Sequence, residues 1–397
     1  MKYVIVIGDG MADNPVEALG GRTPLEAASC VMMDHLAASG ELGSVKTVPQ
    51  GLPPGSDTAI LSIFGCDPNA CFTGRSPLEA AGAGVKLNGG DVSYRCNIVT
   101  LGGGGAFERK TMESHSGNAV DGVTADKLLA QLLGDERFAA LCAEQNLIIH
   151  PTRSFRHIAT QGGASLDGFK AFPPHDHPGE AIGDLLPRGN KTAEGLAALM
   201  KRANEILGER ETANGVWFWA EGRAVALPSF REQFGKAGFV VSAVPLVWGI
   251  GRLRGLEPVA VSGATADIDT NYEGKADAVL EGLQSGADFA LLHVEAPDEC
   301  THNGDLPGKI DAIERLDSRC ITRLKQGLDA IDDYRLLILS DHKTLTATRG
   351  HDGEPVPYIL YDSRGTSAGS GLDYNERNAG KGGYIGEGHK LIERLIV

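Results

Sequence analysis

Short apolar runs rich in β-branched and aromatic residues recur along the chain: YVIVI (3–7), VWFWA (216–220), FVVSAV (239–244), FALLHV (289–294), RLLILS (335–340) and YILY (358–361). Between most of them lie segments with helical patterning, such as KADAVLEGLQSG (275–286) and KIDAIERLDSRCITRLKQGLDAI (309–331). Strands that alternate with helices predict an α/β fold, a mostly parallel sheet sandwiched by helices. Ligands of such sheets bind beyond the carboxyl ends of the strands. The residues that follow each run therefore carry the functional information.

Residues 68–190 read differently. They are rich in glycine, include GGGG (102–105) and PPHDHPGE (173–180), and show weaker helix signals. A chain of 397 residues exceeds the ~100–200 usual for one domain. The expected organisation is a discontinuous core, 1–67 with 191–397, and an inserted smaller α+β substrate domain over 68–190. Two stretches echo each other, RTPLEAAS (22–29) and RSPLEAAG (75–82). Each places Thr or Ser before proline and Glu three positions on, the pattern of a capped helix start.

Three of the strand ends carry metal-ligand chemistry. Asp9 follows the first run, Asp298 and His302 follow FALLHV, and Asp341, His342 and His351 follow RLLILS. Asp298 and His302 are four positions apart and would share one helical face. Three carboxylates and three imidazoles exceed what one ion needs, so two divalent metals are expected, Mn²⁺ foremost, with Mg²⁺ or Zn²⁺ as alternatives. Paired metals suit phosphoryl transfer, because they clamp the attacking and leaving oxygens. The candidate nucleophile is Ser56 in GLPPGSDTAILSIF (51–64), which follows a Pro-Gly turn and opens an apolar helical run. An ordinary N-cap serine would look the same. A phosphoryl group on that hydroxyl would meet free N–H groups and the positive end of the helix dipole.

Bulk properties exclude other classes. A formal net charge of −15 is wrong for a nucleic-acid surface, which needs clustered Lys and Arg, but leaves room for a small anionic substrate held by a few arginines. The apolar start of MKYVIVIGDG is too short for a secretory signal, and the longest uncharged stretch, 237–251, falls short of a membrane helix. Seven cysteines without a CxxC pair suggest reduced thiols. No nucleic acid, no membrane and a cytoplasmic location are the expectations.

Along nearly its whole length the chain resembles the cofactor-independent phosphoglycerate mutases of the archaeal type, within the alkaline phosphatase superfamily. GDGMAD, GLPPGSDTA, GRSPLEAAG, YRCNIVTL, SFRHI, PPHD, SAVPLVWGIG, HVEAPDECTH and SDH…RGHDGEPVPY carry the resemblance in order. It implies an alkaline-phosphatase-like core and no need for 2,3-bisphosphoglycerate. It also implies that Asp9, Ser56, Asp341 and His342 share one metal and Asp298, His302 and His351 the other, with Ser56 transiently phosphorylated. The inserted domain would close over a small phosphorylated substrate, with Arg75, Arg95, Arg156 and His157 as candidates to hold its carboxylate and phosphate and Lys275 to stabilise the transferring group. One departure stands out: SHSGNAV (114–120) has Asn118 where the family has histidine, and His115 three positions earlier. The metal core alone leaves other acceptors open. Phosphotransfer to homoserine, a phosphatase or phosphonate hydrolase, and a non-catalytic metal-binding protein are the alternatives.

Overall fold

The computed structural model describes residues 1–397 except 153, 209, 367 and 397. The chain forms two compact units, one of residues 1–72 with 226–397 and one of residues 73–225.

The first unit is built on an eight-stranded sheet. Across it the strands run Gly383–Ile385, Glu41–Val45, Val356–Asp362, Tyr334–Leu339, Lys2–Gly8, Phe289–Val294, Gly238–Val241 and Glu257–Val259. Only Val356–Asp362 runs antiparallel to its neighbours, so the sheet is mostly parallel as expected. Side chains alternate across a strand, and both faces are covered. Val4, Val6, Leu336 and Ile338 join a cluster with Met33, Leu36, Val279, Leu283 and Leu324 from helices on one side. Ile5, Ile7, Leu337 and Leu339 point the other way and are equally buried. This two-sided burial explains why the runs read as continuous apolar stretches.

The long helical segment is interrupted. Helix Leu306–Arg315 passes into a π-helical turn, Leu316–Ile321, before helix Thr322–Leu328. The widened turn carries buried Asp317, whose carboxylate accepts the Met32 and Met33 amides at 3.0 and 2.6 Å and so caps helix Val31–Ser39. Cys30, the residue at that helix's N-cap, offers no capping bond from its own side chain. A side chain distant in sequence satisfies amides that would otherwise be orphaned.

The second unit has a five-stranded antiparallel sheet. The central strand Val92–Gly102 pairs with Thr111–Ser114, Arg156–Gln161 and Gly215–Arg223, and Leu147–His150 completes it beside Arg156–Gln161. The insertion therefore runs past residue 190, and the VWFWA run belongs to its sheet instead of the core sheet. Helix Lys191–Leu207 goes with it, since Leu196, Leu199, Met200 and Ala203 pack into one cluster with Trp217 and Phe218. An apolar run reads alike whichever sheet receives it.

The two echoing helix starts diverge. Thr23 and Glu26 form the reciprocal capping box. In the second copy Gly74 is the N-cap, Ser76 lies inside the helix Arg75–Gly82, and no side chain caps it. Glu79 is instead engaged by arginines.

Among the described residues no helix is long and apolar enough to cross a membrane. The loop after the first strand is pinned by a fully buried ion pair, Lys309 Nζ to Asp13 Oδ2 at 3.0 Å, with Nζ also donating to the Thr344 carbonyl at 2.6 Å. Removing one partner strands a buried charge, so Lys309→Met should cost about 3–5 kcal/mol of stability, read as a lower urea midpoint. Replacing both, with Asp13→Asn added, should recover part of the loss.

Candidate metal and phosphoryl-transfer site

The strand ends of the first unit bring six of the sequence candidates together. Among the described residues, Asp9, Asp341 and His342 present ligand atoms within 4.8 Å of one another, and so do Asp298, His342 and His351. The turn after the first strand permits this. Gly10 has φ +60°, donates its amide to Asp341 Oδ1 at 3.1 Å, and a Cβ there would lie 2.4 Å from Thr344 Oγ1 and 2.7 Å from Asp298 Oδ1. Only glycine fits.

Hydrogen-bond directions fix the imidazoles. Thr344 donates its single hydroxyl proton to Asp298 Oδ1 at 2.6 Å, so its oxygen accepts from His342 Nδ1 at 3.2 Å. That leaves a lone pair on His342 Nε2, 3.2 Å from Asp341 Oδ2 and 3.7 Å from Asp9 Oδ1. Both of those carboxylate oxygens are buried without a hydrogen-bond partner. His302 repeats the arrangement. Its Nδ1 faces the Arg349 carbonyl at 2.8 Å, and its Nε2 lies 3.1 Å from Asp298 Oδ2 and 3.0 Å from His351 Nε2. Arg349 holds the unfavourable φ of +57° where it offers that carbonyl. Nitrogen and carboxylate oxygen donors converge there, a set that suits a divalent metal.

The titration behaviour has the same origin. Burial, then the neighbouring Asp341 and Asp298, pushes the Asp9 carboxyl well above the usual range. Burial would raise Asp298 too, but hydrogen bonds from His302 and His351 outweigh it and hold that carboxyl well below its ordinary value. His302 is pushed up to about 9, chiefly by its bond to Asp298. A proton takes the place of the cation there.

Ser56 is the first residue of helix Ser56–Ile63, with Gly55 as the N-cap, and its side chain makes no cap bond. Its Oγ lies 3.2 Å from His342 Nε2. It is therefore not the plain capping serine that the sequence also allowed. A cleft of about 340 Å³ opens beside His351, lined in part by Lys46, Gln50, Pro54 and Glu354. Lys275 is buried, and its Nζ donates to the carbonyls of His293 at 3.2 Å and Thr265 at 3.5 Å. Burial lowers its pKa to about 8.

The remaining sequence candidates lie in the second unit. Arg75 and Arg95 converge on Glu79, with Nε distances of 3.0 and 2.7 Å and a second, shorter bond from Arg95. Arg95 also stacks 4.7 Å over Trp219. Arg156 belongs to this group electrostatically: burial first, then Arg95, lowers it to about 10, and its Nε is buried without a partner. One carboxylate facing three guanidiniums leaves an excess of positive charge suited to an anion. His157 does not join them. It is the next residue along the same strand, so it points to the opposite face, fully buried, and burial lowers its pKa. The expectation of a substrate contact at His157 is corrected by strand alternation. Asn118 has φ +61° and accepts from Thr100 Oγ1 at 2.7 Å, while His115 lies edge-on to His175 at 5.9 Å.

Comparison with known proteins gives a consistent answer. The family described as 2,3-bisphosphoglycerate-independent phosphoglycerate mutase matches residues 37–213. A probable 2,3-bisphosphoglycerate-independent phosphoglycerate mutase of Geobacter sulfurreducens is 40% identical over 100% of both chains, and the mutase of that name from Methanosarcina acetivorans is 39% identical, again over 100% of both. The chain belongs to this family. A solved structure of a Pyrococcus horikoshii protein aligns with TM-score 0.79 at 28% identity, covering 100% of this chain and 97% of the other.

Two residues that sequence reasoning passed over come forward in the geometry of the two units. Glu79 was read as half of a capping box. His293 was read as part of an apolar strand, although a histidine inside FALLHV was the available signal; its Nε2 lies 2.9 Å from Asp9 Oδ2.

Two outcomes are expected. A metal ligand must be an unprotonated imidazole, so with His302 near 9 in the metal-free protein, divalent-metal binding should release a proton and weaken by up to tenfold per pH unit below about 9. Calorimetry in buffers of different ionisation enthalpy would detect it. In the second unit, burial would raise Glu79, but its arginine partners, Arg95 foremost, hold it at about 2 against 4.5. A depressed carboxyl stabilises the fold above its unfolded pKa. That contribution should be lost as pH falls from about 4.5 to about 2, and Glu79→Gln should flatten this part of the acid-denaturation curve.

Proposed function

We propose that this mutase interconverts 3-phosphoglycerate and 2-phosphoglycerate by two successive phosphoryl transfers through Ser56, with no 2,3-bisphosphoglycerate. The observation that carries the reading is the Ser56 hydroxyl at the head of a helix, 3.2 Å from a nitrogen lone pair at the meeting point of two ligand groups. Asp9, Asp341, His342 and Ser56 would hold one divalent cation, and Asp298, His302 and His351 a second. Bound there, Mn²⁺, or Mg²⁺ or Zn²⁺ in its place, would ease ionisation of the serine hydroxyl and neutralise charge on the phosphoryl oxygens.

In the first transfer a bond forms between Ser56 Oγ and phosphorus as the bond to the substrate's C3 oxygen breaks, and the serine proton ends on the glycerate C3 hydroxyl. Glycerate then reorients. In the second transfer its C2 oxygen attacks phosphorus, Ser56 Oγ leaves, and the C2 hydroxyl proton returns to the serine. Between transfers the amides at the start of helix Ser56–Ile63 steady the phosphoserine. Water must be excluded, since hydrolysis would turn the mutase into a phosphatase.

Arg75, Arg95 and Arg156 are assigned to the carboxylate and phosphate of the substrate, with Glu79 holding two of the guanidiniums in a fixed geometry. Lys275 is assigned to the charge of the transferring group. The seven cysteines, all free, fit a reducing cytoplasm.

³¹P NMR of the protein with Mn²⁺ and 3-phosphoglycerate, without ATP or bisphosphoglycerate, tests the proposal. A 2-phosphoglycerate resonance is expected. Ser56→Ala should lose roughly 10⁴–10⁶-fold in rate, as removal of a covalent nucleophile does, while still binding substrate. Inorganic phosphate alone would make the protein a hydrolase, and an unchanged spectrum would point to another acceptor, with homoserine plus a phosphoryl donor tried next.

A further inference from the structure

We infer that Ser242 and His293 form a positioning relay that aims the Asp9 carboxylate, a role that rests on Asp9 being a metal ligand as proposed above. The sheet itself assembles the relay. Strands Gly238–Val241, Phe289–Val294 and Lys2–Gly8 are consecutive and parallel, with Val241 opposite Leu292, Ile7 opposite His293 and Gly8 opposite Val294. Ser242 therefore follows Val241 to a place beside His293, and Asp9 lies two residues beyond Ile7, the partner of His293 on the next strand.

Proton directions run one way through them. The Val244 amide donates to Ser242 Oγ at 3.0 Å, and the serine hydroxyl can in turn donate to His293 Nδ1, 3.2 Å away. With Nδ1 accepting, Nε2 carries the ring proton and donates to Asp9 Oδ2 at 2.9 Å. Serine and imidazole are both about 1% exposed or less, so no water competes. The His293 carbonyl is held in turn by Lys275 Nζ at 3.2 Å.

The consequence concerns the other oxygen. With Oδ2 fixed, the carboxylate cannot rotate, and Oδ1, which has no hydrogen-bond partner, stays turned toward His342 Nε2 at 3.7 Å. An imidazole that only filled space would need no serine behind it and no orientation toward the carboxylate. Groups that hold a ligand in this way typically account for 10–100-fold in metal affinity.

The test uses the full chain and reads metal binding and tautomer separately from activity. Mn²⁺ titration by calorimetry should give two sites in the unmodified protein. His293→Leu should weaken one of them by about 10–100-fold and leave the other unchanged, and His293→Gln, whose amide can still donate to Asp9, should recover most of the loss. Ring-¹⁵N NMR of the protein bound to diamagnetic Mg²⁺, which keeps Asp9 a carboxylate, should show His293 protonated at Nε2, and Ser242→Ala should bring in the Nδ1-protonated form together with a smaller loss of affinity. An Nδ1-protonated ring in the unmodified protein would overturn the relay, as would equal losses in the Leu and Gln variants or a folded Leu variant with unchanged affinity. Should His293→Leu fail to fold, Ser242→Ala decides, because unchanged tautomer and affinity there also overturn it. An unmodified protein that binds no Mn²⁺ would instead sink the metal assignment, and the relay with it.

Discussion

The strand ends of the first unit are governed by buried carboxylates crowded into one place. Asp9, Asp298 and Asp341 are each at most 5% exposed, and two like charges about 4 Å apart repel by roughly 4 kcal/mol at an effective dielectric near 20. A fold does not keep such an arrangement for stability. The metal-free protein relieves it with protons, high on Asp9 and on His302. A divalent cation relieves it better, because every lone pair described above already points inward.

The framework around this charge is compensated with care. Asp13 accepts from Lys309, from the Thr346 amide and from the Thr346 hydroxyl. Its own amide donates to Glu376, and Glu376 accepts from Thr23. Three stretches distant in sequence, at Lys309, Thr346 and Glu376, are thereby tied to the loop that starts with Asp9. Loops are ordinarily the most mobile parts of a fold, and the turn that presents Asp9 is braced in this way. Rigidity is bought with satisfied polar groups and chemistry is left to the unsatisfied ones.

How far the sequence was legible depends on the range over which each feature is determined. Buried strands announce themselves locally, because a strand covered on both faces has no polar side, and the convergence of polar candidates was readable because parallel sheets gather such residues at their ends. Helix position 298 to 302 was readable for the same reason: four residues make one turn. The π-helical turn at Leu316–Ile321 was not, because it exists to deliver Asp317 to amides some 285 residues away in sequence. The second boundary was missed because pairing of Gly215–Arg223 with Val92–Gly102 is a long-range choice. PLEAA shows the limit most clearly: in one copy its glutamate closes a capping box, in the other it holds two arginines. Nothing within either stretch decides between them.

His293 and His157 illustrate the same limit from opposite directions. Both are histidines within apolar strands, and both are fully buried. One faces the Asp9 carboxylate; the other, adjacent in the chain to an arginine of interest, faces the core. Sequence neighbours on a strand are spatial opposites, so proximity to Arg156 in the chain argued against a shared site. What distinguishes the two imidazoles is what stands behind the ring. His293 has a serine that fixes its proton and a carboxylate that receives it, whereas His157 accepts one long bond from the Thr152 amide at 3.3 Å and leaves Nε2 without a partner. A buried histidine bonded at both nitrogens has a defined orientation and can impose one on its neighbour. One bonded at a single nitrogen can only occupy space.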